Sequence, residues 1–271
     1  MNTTTAAVDL AKNVYQVAIA SGSGRPIEHR RLSRTQFERF FVNRPVDRVI
    51  MEACGSAHHF ARQLGARGIE VTLLPAQYVR AYVRRNKTDA ADALALLEAA
   101  KASDIRPVKV KSVEQQALQA LHRTRSLWMT TRTSRINALR GFCREMGLHV
   151  PVGARPGLEV IARAIVDDRN DLPDLLRPVL QSLLEEIRSL EARIARLERE
   201  LAGVAAQTPA RQLLMTIPGV GLLTATGIAA ATSGSAAHFA NARHFASWFG
   251  LDPQGIVLGR ASIAWGYQQT R

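Results

Sequence analysis

The chain has 271 residues, 46% of them hydrophobic, which is enough for one large folded domain or for two to three smaller ones. Its 36 Lys and Arg exceed its 23 Asp and Glu, and the net charge of +13 points to nucleic acid first, and to an anionic membrane surface second, as a partner. Apolar runs are shorter than the roughly 18 residues of a membrane span, and two cysteines, Cys54 and Cys143, do not make a disulfide framework, so we expect a cytoplasmic protein without a membrane partner.

The first third of the chain has the pattern of an α/β domain. Residues 4–10 and 14–20 are two β-like runs separated by the polar break "AKN", which predicts a hairpin. A strand is predicted over residues 48–51, then a helix that Gly68 closes, then a strand in "IEVTLLPA". Strand, helix and strand within about 30 residues form a βαβ unit, whose strands lie parallel.

Four acidic residues stand at the ends of these elements. Asp9 and Glu52 end predicted strands, while Asp89 and Asp92 are three apart in the alanine-rich helix "NKTDAADALALLEAA" and so share a face. Sites in open α/β sheets form at strand ends, and carboxylates gathered there predict a site for two Mg²⁺ ions. The alternatives are that Asp89 only caps its helix, and that Asp9 and Glu52 only end strands at the surface.

The middle of the chain is strongly basic. Residues 106–140 hold eight Lys and Arg against one acid, Glu114, in a largely helical pattern. An uncompensated run of this kind predicts a nucleic-acid groove, although a solvated basic face is the alternative. Three further arginines precede the aspartate helix. The predicted nucleic-acid-binding arginines are Arg80, Arg84, Arg85, Arg123, Arg125, Arg132, Arg135 and Arg140.

A strict apolar repeat follows a Pro/Gly-rich linker. Its residues are separated alternately by four and three positions, at Leu176, Leu180, Leu183, Ile187, Leu190, Ile194, Leu197 and Leu201. This spacing is typical of a coiled-coil seam, and it predicts a homo-oligomer held together through residues 176–201. The alternative is one long helix that packs within its own chain.

The stretch "LLMTIPGVGLLTATGIAAAT" predicts a helix, a tight turn and a second helix. Gly219 and Gly221 allow the turn and allow backbone N–H groups to meet a phosphate at a helix amino terminus. This is the helix-hairpin-helix pattern of DNA-backbone contact, and it predicts a small all-α domain at the end of the chain.

Several segments together resemble the DEDD transposases of bacterial insertion sequences. They include "VDLAKN", "MEACGSAHHFARQL", "KTDAADALALLEA" and "IPGVGLLTATGIAA", and the resemblance covers about residues 5 to 255. It implies a RuvC-like (ribonuclease H-like) nuclease domain whose DEDD acids are Asp9, Glu52, Asp89 and Asp92, with DNA and a guide RNA as partners. The domains expected are a RuvC-like domain at 1–150, linker and coiled coil at 151–205, and a C-terminal transposase domain at 206–271.

The resemblance also implies a C-terminal serine that attacks DNA and becomes covalently linked to it. The Ser-Gly-rich segment that carries this serine does not follow "FASWFGLDP". Ser262 is the candidate nucleophile that the sequence leaves, although it is displaced from the family position. We therefore expect nucleic-acid binding and metal-dependent nicking, with weak or no complete recombination. Three functions stay open: an insertion-sequence transposase, a structure-selective endonuclease of the resolvase type, and a non-catalytic nucleic-acid-binding derivative.

Overall fold

The computed structural model describes residues 4–11, 14–42, 44–82, 89–232, 239–248, 255–258 and 261–264, and of residues 89–91, 248, 255–258 and 261–264 it describes the backbone. The chain divides into two compact units, Met1–Val113 (unit 1) and Glu114–Arg271 (unit 2). The division into three domains at residues 150 and 205 stays a prediction.

Unit 1 is built on one mixed sheet with the strand order β3-β2-β1-β4-β5. The strands are β1 Thr5–Leu10, β2 Val14–Ala20, β3 Pro26–Ser33, β4 Arg48–Glu52 and β5 Glu70–Leu74. β1, β2 and β3 pair antiparallel, whereas β4 is parallel to both β1 and β5. The predicted hairpin and βαβ unit are confirmed. β3 and the helix after it are additional elements that no sequence prediction covered.

Helices cover both faces of this sheet. They are α1 Arg34–Phe40, α2 Ala57–Gly65, α3 Ala76–Val79, a 3₁₀ turn at Arg80–Tyr82, and α4 Asp89–Ala99. Because side chains alternate along a strand, successive residues enter two separate cores. Val8 and Met51 belong to the core beneath α1 and α2, and Ala7 and Ile50 belong to the core beneath α4.

Unit 2 is mainly helical. Its elements are α5 Val113–Glu145, α6 Ala154–Val166, α7 Arg177–Ala206, α8 Pro209–Met215, α9 Leu222–Thr232, α10 Ala242–Trp248, β6 Gly255–Leu258 and β7 Ala261–Ala264. Within the described ranges, none of these helices combines the length and the apolar character that crossing a membrane requires.

The leucine repeat of α7 is buried inside one chain. Leu180, Leu184 and Ile187 pack with Ile136 of α5 and Ile161 of α6 in a single apolar core. Leu184 is buried, whereas Leu183 of the predicted repeat is only half-buried. The reason is that α7 packs against two helices, α5 and α6, so its buried face is wider than a seam with one partner helix. The alternative of intramolecular packing is the one observed, so the seam is not a free surface for a second chain.

The prediction of an all-α domain at the end of the chain is wrong, because the described residues there include two strands. β6 and β7 form a two-stranded antiparallel sheet in which Val257 is opposite Ser262. The physical reason is visible in the sequence: the short runs "IVL" and "SIA" contain β-branched residues, which favour strands, and two residues separate the strands, the spacing of a tight hairpin.

Candidate active site and nucleic-acid interface

Asp9 and Glu52 are neighbours at one end of the sheet. β1 and β4 are parallel, and their register pairs Val8 with Met51, so the next residue of each strand is one of the two acids. Adjacent strands are about 4.8 Å apart, and successive side chains alternate between faces. The residues two positions earlier on each strand belong to the core beneath α4, so both carboxylates lie on the α4 face.

Helix α4 brings Asp92 to the same end of the sheet. The apolar side of α4 packs on β1, β2 and β4. Lys101, two residues past the end of α4, lies against the β2–β3 turn, where a Cβ at Gly24 would be 3.5 Å from Lys101 Cε. That turn is at the far end of the sheet, so the first turn of α4, with Asp92, lies over the end where β1 and β4 finish.

Asp89 is the first residue of α4, one turn before Asp92. Among the side chains that the structure describes, no three His, Cys, Asp or Glu are close enough together to hold a metal ion. The Asp89 side chain is outside that set. A metal site made by all four acids therefore stays a prediction, supported by their placement at one end of one sheet face.

The Cys54 thiol reports the charge at this end of the sheet. Its pKa is raised to about 11, first because the thiol is buried and then because Glu52 and Asp9 place negative charge beside it. The sulfur is 3.9 Å from the Leu10 carbonyl oxygen and 3.5 Å from that of Gly55. The negative potential suits a cation, and a thiol that stays protonated near pH 7 is a poor nucleophile.

Sequence reasoning missed one residue of this face. Gln16 of β2 is directly opposite Asp9 in the antiparallel register, and its side chain is only 6% exposed. Opposite residues of an antiparallel pair point to the same side, so the Gln16 amide belongs to the face that carries the acids. The signal was present in "VYQVAIA", where one polar residue interrupts an apolar strand.

Three of the arginines predicted to bind nucleic acid form ion pairs inside unit 2. Each guanidinium contacts a glutamate of α7, in the pairs Arg125–Glu198 (2.7 Å), Arg132–Glu191 (2.5 Å) and Arg135–Glu186 (2.9 Å). The partner numbers fall as the arginine numbers rise, so α5 and α7 run antiparallel. A phosphate would have to compete with these carboxylates, and holding the two helices together is the role that the structure shows.

A double-mutant cycle measures this role. We expect Arg132→Ala and Glu191→Ala to couple by about 0.5–1 kcal/mol in the free energy of unfolding, since the pair is partly exposed and its guanidinium donates from two nitrogens. The measurement is urea unfolding of the wild type, both single variants and the double variant. Additive effects would show that the pair contributes nothing measurable.

The remaining predicted cations differ in their surroundings. Arg140 Nη2 donates to the carbonyl oxygens of Pro151 (2.9 Å) and Gly153 (2.5 Å), which ties α5 to the loop before α6. Arg80 and Arg123 are exposed, and the described part of the chain gives neither an ion-pair partner. Arg84 and Arg85 lie outside the described residues. Arg80 and Arg123 are therefore the predicted cations most open to a phosphate.

The predicted turn between two helices is present. Gly219 has a φ of 85° between α8 and α9, in the left-handed region that favours glycine. A Cβ at Gly219 or at Gly221 would have no neighbouring atom within 4 Å, so the backbone of the turn is open to approach. Contact of this turn with a DNA phosphate stays a prediction.

Ser262 lies in β7, where its backbone pairs with Val257. The structure describes this backbone only, so the predicted role of the hydroxyl as a nucleophile stays a prediction.

Two side chains of α2 hold the segment that leads to the end of unit 1. His58 Nδ1 accepts a hydrogen bond from the backbone N–H of Lys111 at 3.1 Å, and the Arg62 guanidinium donates to the Lys111 carbonyl oxygen. The pKa of His58 is lowered, first by burial and then by the positive charges of Lys111 and Arg62. The imidazole is therefore neutral when it accepts this hydrogen bond.

Acidification is expected to weaken this attachment. Because the folded-state pKa of His58 lies below its ordinary value of about 6.5, its contribution to the free energy of unfolding is fully present above about pH 6.5 and is lost as the pH falls below it. Between about pH 7.5 and about pH 5.5, the Tm of the wild type should fall more than that of His58→Gln. Replacing the exposed His149 by Gln is the control, and an equal fall in all three proteins would assign the effect elsewhere.

Comparisons with known proteins find matches to transposase family models in both units. Residues 6–147, which include all four acids, match the DEDD transposase model of the IS110 group, described as "Transposase". Residues 211–259 match the model described as "Transposase IS116/IS110/IS902 family". These two matches cover most of unit 1, the first part of unit 2 and the turn between α8 and α9.

Individual relatives are similar over most of this chain. The "Probable family 20 transposase" of Pseudomonas aeruginosa is 39% identical over 83% of this chain and 67% of its own length. The transposase of insertion sequence element IS1111A of Coxiella burnetii is 37% identical, over 80% of this chain and 60% of its own length. The IS1328 transposase of Yersinia enterocolitica is 34% identical, over 83% and 66%. The chain thus spans roughly two thirds or less of the length of these relatives.

Proposed function

Because the chain belongs to the IS110 family of DEDD transposases, we propose that unit 1 is the metal-dependent DNA-cleaving part of an insertion-sequence transposase. One observation carries the proposal. The parallel register of β1 and β4 puts Asp9 beside Glu52 at the carboxyl ends of two strands, on the face that α4 covers. Sites of open α/β sheets form at such strand ends.

The chemistry of the donors, rather than their spacing among the described side chains, suits Mg²⁺. Asp9, Glu52 and Asp92 are carboxylates, which are the ligands that hard divalent cations prefer, and Asp89 would complete the set from the first position of α4. When bound, paired Mg²⁺ ions stabilise the attacking and leaving oxygens of phosphoryl transfer.

The chain's own residues would fix the geometry of this chemistry. Asp9 and Glu52 are held by strands that are paired on both sides, so their backbone positions are rigid. Asp92 lies one turn before Leu96, on the side of α4 that packs in the core against the sheet. Gln16, buried opposite Asp9, would position that carboxylate.

The partners proposed are DNA and a guide RNA. Arg80 and Arg123 are the exposed arginines of the predicted set, and the open turn at Gly219 and Gly221 would contribute backbone donors.

Complete recombination would need a nucleophile besides the four acids. Ser262 is the proposed candidate, because it is the serine that follows the second family match, and its backbone lies in β7. A covalent protein–DNA adduct that disappears in Ser262→Ala would establish it. An adduct that survives this change would assign the nucleophile to another residue.

The test of the proposed function is strand cleavage. The full chain is incubated with DNA carrying the ends of its own element, with and without its RNA, in Mg²⁺ or in EDTA. The products are resolved on denaturing gels before and after protease digestion. Cleavage in Mg²⁺ but not in EDTA supports the metal-dependent nuclease. A DNA band that is retarded before protease digestion, and not after it, supports the recombinase over the resolvase-type endonuclease. Binding without cleavage in any condition would refute the proposal in favour of a non-catalytic derivative.

A further inference from the structure

The outer strand β3 carries charges on both of its faces. It lies at one edge of the sheet and pairs only with β2, in a register that places Arg31 opposite Gln16 and His29 opposite Ala18. Arg30 is opposite Val17 and therefore points to the other face. Because Ala18 lies in the core beneath α4 and Val17 in the core beneath α1 and α2, the face of each β3 residue is known.

The arginines on the α1 face already share a carboxylate partner. Glu28 contacts Arg30 at 2.6 Å and Arg44 at 2.7 Å, and the Arg44 guanidinium also lies 4.3 Å from the centre of the Phe40 ring. These hydrogen bonds, with that from Arg44 first, lower the pKa of Glu28. The cations of this face thus have a structural function in tying β3 to the loop after α1.

The α4 face of β3 is different. His29 and Arg31 are exposed there, and neither has a carboxylate within ion-pair distance in the part of the chain that the structure describes. The apolar core beneath α4 takes residues from β1, β2, β4 and β5 but none from β3, so the helix stops short of this edge. Arg31 and His29 therefore stand on an open strip beside α4, and no described carboxylate pairs with either of them.

This strip is in line with the acidic end of the sheet. The registers join Arg31 to Gln16, and Gln16 to Asp9, in one row across three strands. With strands about 4.8 Å apart, the Cα of Arg31 is about 10 Å from that of Asp9. The register therefore places Arg31 in the same row as the acidic end of the sheet, one strand beyond Gln16.

We propose that Arg31, with His29 next to it on the same face, binds a backbone phosphate of the nucleic-acid strand beside the phosphate that is held at Asp9 and Glu52. The inference rests on the proposed function for the location of the cleaved phosphate. A guanidinium offers several donors in a planar fork that matches phosphate oxygens, and its charge does not depend on pH. The site would fix the direction in which one strand crosses the sheet.

Edge strands also carry charges simply to prevent pairing with another sheet. Arg30 serves that purpose as well as Arg31 does, because it is on the same strand. It differs in the face to which it points and in its ion pair with Glu28. Arg30→Ala is therefore the matched control. A general electrostatic effect would make the two variants behave alike, and a phosphate site would separate them.

The experiment measures binding, not cleavage. Fluorescence anisotropy follows the full chain with labelled single-stranded DNA, duplex DNA and single-stranded RNA of one sequence, in EDTA, over a range of salt concentrations. Arg31→Ala should reduce the slope of log K against log[salt] by about 0.7 to 0.9, the value for one phosphate contact. Arg31→Lys should keep most of the slope, and Arg30→Ala should keep all of it. A reduced slope for Arg31→Ala with both DNA and RNA supports a contact to the backbone phosphate. A reduced slope with only one of them also identifies which nucleic acid binds at Arg31.

The proposal is overturned if Arg31→Ala keeps the wild-type slope for all three ligands, or if Arg30→Ala loses as much as Arg31→Ala does. Thermal unfolding of each variant verifies that the fold is retained. Cleavage by Asp9→Asn at the wild-type rate would refute the proposed function and leave this binding result standing. The two failures are therefore distinguishable.

Discussion

Replacing Asp9 by Asn or Glu52 by Gln is expected to reduce Mg²⁺-dependent strand cleavage by more than about 100-fold, since even residues that only support metal ligands change metal affinity or activity by about 10–100-fold. Both substitutions keep the shape of the side chain and remove its charge. They act at the one end of the sheet where β1, β4 and the first turn of α4 meet. Asp89→Asn and Asp92→Asn should have the same effect.

Glu70→Gln is the matched control for these variants. Glu70 begins β5 at the opposite end of the sheet, and its side chain is 71% exposed beside Arg48. Cleavage is measured in single turnover, together with nucleic-acid affinity in EDTA. Wild-type cleavage by any two of the four acid variants, or an equal loss in Glu70→Gln, would show that the acids do not form the site.

Substitutions in the buried repeat of α7 should have the largest effect on stability. Leu180, Leu184 and Ile187 are 0%, 1% and 0% exposed and contact α5 and α6 of the same chain. Each change to Ala should lower the free energy of unfolding by about 2–5 kcal/mol, from lost apolar burial and from the cavity that remains. The measurement is urea unfolding, with the half-buried Leu183→Ala as a control that should lose less.

Light scattering on the same variants separates the two interpretations of the repeat. If the repeat is an internal core, folded variants keep the wild-type mass whatever that mass is. A variant with a lower mass than the wild type but an unchanged free energy of unfolding would show that the repeat instead forms a coiled coil between chains. This is the point on which the sequence prediction and the structure differ most.

The reason for that difference is physical. A spacing of four and three describes which side of a helix is apolar, and it contains no information about whether the partner helix belongs to the same chain. The glutamates between the apolar residues were informative in retrospect, because three of them pair with Arg125, Arg132 and Arg135 of α5. Charges that appear uncompensated in one segment can be neutralised by another segment far along the chain.

The α/β part was easier to predict from sequence. Its hairpin and βαβ unit depend on local patterns, and the positions of Asp9 and Glu52 follow from the rule that parallel strands end together. β3 was missed because an edge strand with both faces exposed has few apolar residues, as its sequence "PIEHRRLS" shows. Gln16 could be given a place only after the register was known, since a shift by one residue would turn it to the other face.

The central claim is that the carboxylates at the ends of β1 and β4 and on the first turn of α4 hold divalent metal. Crystals of the full chain grown with Mn²⁺ test it most directly, through anomalous scattering that locates the ion without reference to activity. We expect anomalous density within coordination distance of the Asp9, Glu52 and Asp92 carboxylates, and its loss in Asp9→Asn. Density absent from this position in the wild type, or present and unchanged in Asp9→Asn, would refute a metal site there.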